Sequence, residues 1–362
     1  MRFHRDDLWR VLFMKAAVLR EFGKIVIEDV PDPHPSVNEV VVRVKACGIC
    51  QTDYKSYLGK RTNIHFPFIM GHEPAGVVAS VGPGVTEFVE GDEVIIAPAG
   101  FCGLCRWCRV GMQHRCDKRF TCGGDGGTDI RHGCFAEYSL HNASSIYHKP
   151  KNISWAAAAL TEPLAGSWKG LIDYSQMRVG EDVIVIGVGS IGMLVLMLAR
   201  AAGAGRLIAI DVSDYALKNA LDFGATHALN PESIDVRRAV YDIMPEGPDL
   251  IVEAAGPIEA VRMMFDLRRR GTRINLFGIT TPETVEFNGG ETHWFETRMD
   301  ASFSINSESM VNAIRLIECG LVDTEKIVTH RFPLSETDLA MQTMAIKDRN
   351  KVMVFPDESE LT

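Results

Sequence analysis

Residues 181–213 read EDVIVIGVGSIGMLVLMLARAAGAGRLIAIDVS. Val183–Ile186 is a short, β-branched apolar run, the composition of a parallel strand covered on both faces. Gly187-x-Gly189-x-x-Gly192 follows it and opens an apolar helical stretch, with Ser190 and Ile191 inside the motif. Glycines there permit a tight turn and let the backbone approach a pyrophosphate at the helix N-terminus. A second apolar run, Leu207–Ile210, ends at Asp211, nineteen residues after Gly192. A carboxylate in that place accepts hydrogen bonds from ribose hydroxyls and repels a 2′-phosphate. Val212 and Ser213 bring no cation beside it, so the pattern favours NAD over NADP.

Outward from this unit, DLIVEAAG (Asp249–Gly256) and RINLFGI (Arg273–Ile279) are strand-like runs that alternate with helix-like stretches. The alternation predicts βαβ units in a doubly wound parallel sheet. Ala255, Gly278 and Ile279 stand at the ends of those runs and are counted with the coenzyme site. Before residue 160 the text changes to short β-rich runs, VVVRVKA, AGVVASVG and DEVIIAP, punctuated by Gly and Pro. These predict an irregular β domain.

A chain of 362 residues, 46% hydrophobic and 23% charged, has the composition of a globular protein of about two domains. Its formal net charge of −9 argues against broad nucleic-acid binding, which needs clustered Lys and Arg. No apolar run approaches the roughly 18–20 residues of a membrane span. The opening residues MRFHRDDLWRVLF lack an apolar h-region and a small-residue cleavage site, so a secretory signal is not expected and the cytoplasm is. Leu8, Val11 and Leu12 share one helical face, but the segment reads as a frayed extension.

FCGLCRWCRVGMQHRC (Phe101–Cys116) holds four of the nine cysteines. In a reducing cytoplasm a disulfide is not the expectation. The CxxCxxC run of Cys102, Cys105 and Cys108, followed by Cys116, suits a closed tetrahedral zinc shell, and four thiolates also suit an iron–sulfur cluster. Arg106, Arg109 and Arg115 are placed to offset the thiolate charge. A closed shell has no position for substrate, so this metal is structural. Other ligand types are scattered: Cys50 in KACGICQTD, His72 and Glu73 in FPFIMGHEPAGVV, and Glu162 in AAALTEPLAG. One thiolate, one imidazole and one or two carboxylates leave a coordination position open, the pattern of a catalytic zinc.

Together these motifs resemble the zinc-dependent medium-chain alcohol and polyol dehydrogenases. The resemblance runs from Met14 to about Val354 through GICQTD, GHEPAGVV, GDEVI, CGLCRWC with Cys116, HGCFAEY, TEPLA, GVGSIG, VEAAG and LFGI. It implies a GroES-like catalytic domain over residues 14–165, a Rossmann domain over 166–305, and a segment 306–362 that returns to the first; residues 1–13 lie outside it. It implies catalytic zinc ligands at Cys50, His72 and either Glu73 or Glu162, and a structural zinc at Cys102, Cys105, Cys108 and Cys116. Cys47, Cys122, Cys134 and Cys319 belong to neither set and are expected in the core. Thr52 matches the hydroxyl that relays the alcohol proton, and Asp53 braces a ligand. The implied reaction is hydride transfer from a secondary alcohol to NAD⁺. The Glu162-Pro163 pair resembles the polyol and threonine branch, and the family resemblance as a whole implies a homodimer or homotetramer.

The sequence departs from the pattern where many relatives carry a relay histidine, five residues after the catalytic cysteine. Lys55 stands there, and Gln51 replaces a small residue. Lys55 either relays the proton or binds an anionic substrate group. Lys60, Arg61 and Lys169 lie in segments near the expected cleft and read first as solvated surface cations, with a clamp for a carboxylate- or sulfonate-bearing alcohol as the alternative. The alternatives to a polyol are an amino alcohol, a hydroxy acid or another anionic alcohol. A non-catalytic zinc- and nucleotide-binding regulator is the alternative from another class.

Overall fold

The computed structural model describes residues 13–61, 64–124, 129–278 and 284–361. Strands β1 (Phe13–Glu21) and β2 (Lys24–Pro31) form an antiparallel hairpin beside β3 (Glu39–Gly48), the hub of a seven-stranded sheet. The Val-rich text of β3 is buried on both faces. Val40 and Val42 pack with Val78, Val94 and Ile96, while Val44 and Cys47 pack with Leu19, Ile69 and Phe135. After β3 come the short helix α1 (Gln51–Tyr57), then β4 (Glu73–Val81), β5 (Glu93–Ile96), β6 (Tyr138–Asn142) and β7 (Ile146–His148). β4 and β6 both pair antiparallel with β3, and β5 and β7 extend the sheet beyond β4. Helix α2 (Thr161–Trp168), with Leu160 and Leu164 fully buried, leads to the second unit.

That unit is a six-stranded parallel sheet: β8 (Val183–Ile186), β9 (Leu207–Ile210), β10 (His227–Leu229), β11 (Leu250–Glu253), β12 (Arg273–Leu276) and β13 (Arg298–Ala301). The spatial order is β10-β9-β8-β11-β12-β13. Connections leave β8 in opposite directions, so a crevice opens at the C-terminal ends of β8 and β11, the place where α/β sheets bind ligands. Helix α3 (Ser190–Ala201) starts there. Gly187 turns the chain at φ +84, and a Cβ on Gly192 would sit 1.8 Å from the Gly187 carbonyl oxygen. The first two strands match the runs read from sequence residue for residue, because two-sided burial demands an uninterrupted apolar run. The architecture is the expected one: an irregular, GroES-like β domain and a Rossmann-type parallel sheet.

Helix α4 (Ser307–Glu318) carries the chain back, followed by β14 (Val328–Pro333) and β15 (Lys351–Phe355). β15 pairs antiparallel with β3, placing Met353 opposite Gly48 and Val354 opposite Cys47. Cys47, Cys122 and Cys134 are buried, but Cys319 is exposed, against expectation. It caps the C-terminal end of α4, where the apolar stripe of the helix has run out. Among the described residues no helix is long and apolar enough to cross a membrane.

The close approach at Gly192 yields a test. Gly192→Ala forces a methyl group onto a backbone carbonyl and should cost about 1–3 kcal/mol, read as a lower Tm. The same variant should raise the Kd for NAD⁺, because the carbonyl it displaces belongs to the coenzyme turn.

Candidate active site between the two sheets

The register of three strands builds the site. On β3, Gly48 lies opposite Glu73 of β4 on one side and Met353 of β15 on the other. The residues just beyond these pairs therefore meet: Cys50 after β3, His72 and Glu73 at the start of β4, and Lys351 at the start of β15. Donor atoms of Cys50, His72 and Glu73 all lie within 4.8 Å of one another. Glu73 and Lys351 form an ion pair with side chains 1% and 3% exposed. Gly48 makes room for it, since a Cβ there would lie 2.0 Å from Glu73 Oε2 and 2.8 Å from Lys351 Cε.

Helix α1 supplies the second layer. Asp53 Oδ2 accepts from the Cys50 backbone N–H at 2.9 Å, and Oδ1 lies 3.3 Å from His72 Nδ1. That contact leaves the other ring nitrogen, Nε2, which is 3.4 Å from Thr52 Oγ1, toward the donor cluster. Burial disfavours a protonated His72, yet the charges of Asp53 and Cys50 outweigh it and hold the imidazole pKa well above its ordinary value. So much negative charge packed around one point calls for a cation. A soft thiolate, an imidazole and a carboxylate form the donor set that Zn²⁺ prefers. Glu162 lines the same cavity but lies outside the converged trio. Burial and the neighbouring Glu73 and Asp53 charges, opposed by His72 and Lys351, push its carboxyl up to about 7.

The cavity holds about 270 Å³. Cys50, Thr52 and Lys55 line it from the β domain, and Ile191, Ala255 and Gly278 from the parallel sheet. On that side α3 begins at Gly189 with no side-chain cap, and nothing lies within 4 Å of where a Gly189 Cβ would stand. A twelve-residue helix thus presents uncapped N–H groups to an open space, as a pyrophosphate requires. Ser190 Oγ donates to the Asn350 carbonyl at 2.9 Å, tying the turn to the C-terminal segment. The Asp211 carboxylate accepts from the backbone N–H groups of Val188 and Ser213, at 2.8 and 2.9 Å, which fix it at the end of β9. Ile279 lies outside the described residues.

In the four-cysteine loop, Sγ separations are 3.5 Å for Cys105–Cys108, 3.5 Å for Cys102–Cys116 and 4.0 Å for Cys102–Cys108. A tetrahedron of 2.3 Å Zn–S bonds spaces its sulfurs by about 3.8 Å, whereas a disulfide needs about 2.05 Å. The Arg106 and Arg115 guanidinium groups lie over the Trp107 ring of the same loop. Backbone N–H groups of Cys102, Cys105 and Lys118 meet the sulfurs. Those of Cys108 and Asp117 pull the Cys105 thiol down to about 6. The tight loop turns its amides inward, toward the sulfurs. The other expected cations divide. Lys55 and Arg61 line the cavity, Lys60 is exposed, and Lys169 is fully buried behind the wall with its ammonium on the Phe303 carbonyl.

Comparisons with known proteins agree with this geometry. The alcohol dehydrogenase GroES-like domain matches residues 36–151, and the zinc-binding dehydrogenase domain matches residues 190–318. An L-threonine 3-dehydrogenase of Anaeromyxobacter sp. (strain Fw109-5) is 33% identical over 94% of this chain and 99% of its own. The chain belongs to the zinc-dependent medium-chain dehydrogenases. A sorbitol dehydrogenase of Bacillus subtilis (strain 168) is 30% identical over 95% of the chain and 98% of its own. The alcohol dehydrogenase of Thermus sp. ATN1 superposes with a TM-score of 0.87 at 27% identity, covering 94% of this chain and 99% of that one. This medium-chain dehydrogenase is thus an NAD-dependent, zinc-containing oxidoreductase of the polyol and threonine branch.

Lys351, Arg119 and Glu253 escaped the sequence reading. Lys351 opens the apolar strand KVMVF, where a lysine reads as a solvated strand end. Its partner lies 278 positions earlier, at Glu73, so no local spacing announces the pair. Arg119 lines the cleft while bonding the His114 carbonyl and Ser304 Oγ. Glu253, fully buried, accepts from the Ala255 and Gly256 amides and so shapes the coenzyme-side turn. The VEAAG motif contained it, as a strand end.

Removing one partner of a buried ion pair leaves an uncompensated charge worth about 3–5 kcal/mol. Lys351→Met should therefore destabilise the chelator-treated protein by that order in chemical denaturation, and Glu73→Gln in the same chain should recover most of it. Zinc should shrink the Lys351→Met loss, since a dication beside Glu73 supplies the missing charge. An equal loss with and without zinc would separate Glu73 from the metal.

Proposed function

We propose that this dehydrogenase oxidises a secondary alcohol bearing further hydroxyl or amino groups at the site of Cys50, His72 and Glu73, with NAD⁺ as acceptor. The observation that carries the proposal is the convergence of these three donors on the wall of a cavity that Ala255, Gly278 and Ile191 close from the coenzyme side. Bound there, Zn²⁺ supplies a Lewis acid that lowers an alcohol pKa, and NAD⁺ supplies the hydride acceptor.

The remaining work falls to the chain. Cys50, His72 and Glu73 are the metal-holding residues in this reading, with Glu162 as a second carboxylate able to exchange in. Asp53 fixes the His72 ring through Nδ1, so that Nε2 keeps its lone pair for the metal. Thr52 Oγ1 accepts the alcohol hydrogen and passes it toward the cleft mouth, a general acid–base task of a positioned hydroxyl. Gly187, Gly189, Ser190 and Gly192 seat the pyrophosphate, and Asp211 takes the ribose hydroxyls. The four-cysteine zinc holds its loop and takes no part in the reaction. Relatives named for threonine and sorbitol favour substrates with several polar groups. The solvent-facing edge strand β13, with Met299 half exposed, supports pairing into a homodimer or homotetramer. The cytoplasm is the proposed compartment.

The test is NADH formation across polyols, amino alcohols, hydroxy acids and simple alcohols. Dialysis against a chelator should abolish turnover and Zn²⁺ should restore it; NADH formation unaffected by chelation overturns the zinc site. Thr52→Ala should lower kcat by about 10²–10⁴ with the KM for NAD⁺ little changed, and Thr52→Ser should recover most of the rate.

A further inference from the structure

Behind the cavity wall, α2 runs into one widened turn of helix, Lys169–Tyr174, where the Ser175 N–H reaches back five residues to the Gly170 carbonyl at 3.0 Å. Such turns are rare and recur at functional sites. This one is shaped by what it packs against. A Cβ on Gly170 would lie 2.5 Å from the Phe277 ring, and Asn275 Nδ2 of β12 donates to the Gly170 carbonyl at 2.9 Å. The turn opens with Lys169, which is fully buried. Its ammonium lies over the Tyr174 ring, 5.2 Å from the centroid, and donates to the Phe303 carbonyl. Tyr174 is itself tied to the cysteine loop, its hydroxyl 2.9 Å from His114 Nε2.

The acceptor belongs to the cavity. Ser302, Phe303, Ser304 and Ile305 all line it, together with Gly278 and Ala255. Ser304 has φ +64, a left-handed conformation that a serine keeps only where its surroundings impose it. Two cations hold it there. Lys169 bonds the carbonyl just before it, and Arg119 Nη1 donates to Ser304 Oγ at 3.1 Å while lying over the Phe303 ring. An ammonium is costly to bury, and burial, then the Arg115 charge, opposed by Asp173, brings this one down to about 8. A methionine would fill the same space without that cost. What the ammonium adds is a fixed carbonyl in the cavity wall. We infer that Lys169 is a positioning residue: from behind the wall it fixes the backbone of residues 302–304, and with it the geometry in which hydride passes to the coenzyme. The inference rests on the dehydrogenase reading above and assigns one more residue to its site.

The experiment compares Lys169→Met with the unmodified, zinc-loaded enzyme, using NAD⁺ and whichever alcohol of the panel above is oxidised fastest. kcat should fall by about 10- to 100-fold, since a misplacement of about 1 Å costs that much. The KM values for NAD⁺ and for the alcohol should change less than about 3-fold, the mark of an interaction felt in the transition state. Tm should fall by no more than about 4 °C, the worth of one hydrogen bond. Hydrogen–deuterium exchange should quicken about 10-fold in peptides covering residues 302–305 and stay as it was in β8 and β9. A kcat within about 3-fold of the unmodified value overturns the inference. So does a fall in kcat without the local quickening, and so does a rise in the KM for NAD⁺ with kcat kept. Quickening throughout the parallel sheet, or a larger drop in Tm, makes the lysine structural and overturns it as well. Lys169→Gln carries the same test if Lys169→Met does not fold, and failure of both to fold counts against the inference in the same way. No NADH formed by the unmodified enzyme from any alcohol defeats the dehydrogenase reading instead. Exchange then decides alone: quickening confined to residues 302–305 supports the hold on the wall, and none overturns it.

Discussion

The buried pairing of Glu73 with Lys351 is the constraint on which the rest of the site depends. A carboxylate taken fully out of water needs a compensating charge or hydrogen-bond donors to replace the lost hydration. Here that charge comes from the last strand of the chain, laid against β3 next to the cysteine loop. One contact therefore joins three segments far apart in sequence and fixes the start of β4, where His72 and Glu73 stand. Gly48 permits it by having no side chain at the crossing. Were β15 to pair elsewhere, the donor trio would lose its charge balance, and the cleft would lose the wall that the C-terminal segment supports.

Around this anchor the charges are arranged in layers. Cys50, Asp53 and Glu73 bring acidic groups together at one point, and with His72 the Cys50 and Glu73 donors converge as a set able to hold a metal ion. Lys55 and Arg61 bring positive charge to the cavity wall nearby. Low-dielectric walls make both layers act more strongly than they would in water. The converged donors thereby put the demand for a cation at the floor of the cleft. The parallel sheet adds the uncapped start of α3, whose free N–H groups favour negative charge. Short backbone hydrogen bonds hold the carboxylate of Asp211 at the far end of that crevice.

Much of this was legible in the text because the chemistry demands fixed local spacings. The glycine turn, the strands on either side of it and the acid at Asp211 follow from backbone sterics and burial within some thirty residues. The four-cysteine loop is equally local, and its sulfurs stand where the spacing put them. What escaped depended on chain reversal. The sequence left Glu73 and Glu162 as equivalent carboxylates, and the strand register separates them by bringing only Glu73 into the donor trio. It also left open which of Lys55, Lys60, Arg61 and Lys169 reach the cleft. Packing sorted them into two that line the cavity, one in solvent and one behind the wall. Cys319 misled for the same reason, since its place at a helix end, and not its chemistry, exposes it.

Sequence alone determined the two architectures, the coenzyme turn and the sets of residues able to bind metal, because each is a property of contiguous chain. Tertiary structure alone decided which of those residues share a cavity and which charges are compensated. Lys351 is the sharpest instance, for nothing near it in sequence marks it as the partner of a residue 278 positions away. Electrostatic compensation in a buried site acts through space, between groups that only the folded sheet brings together, and local pattern carries no record of it.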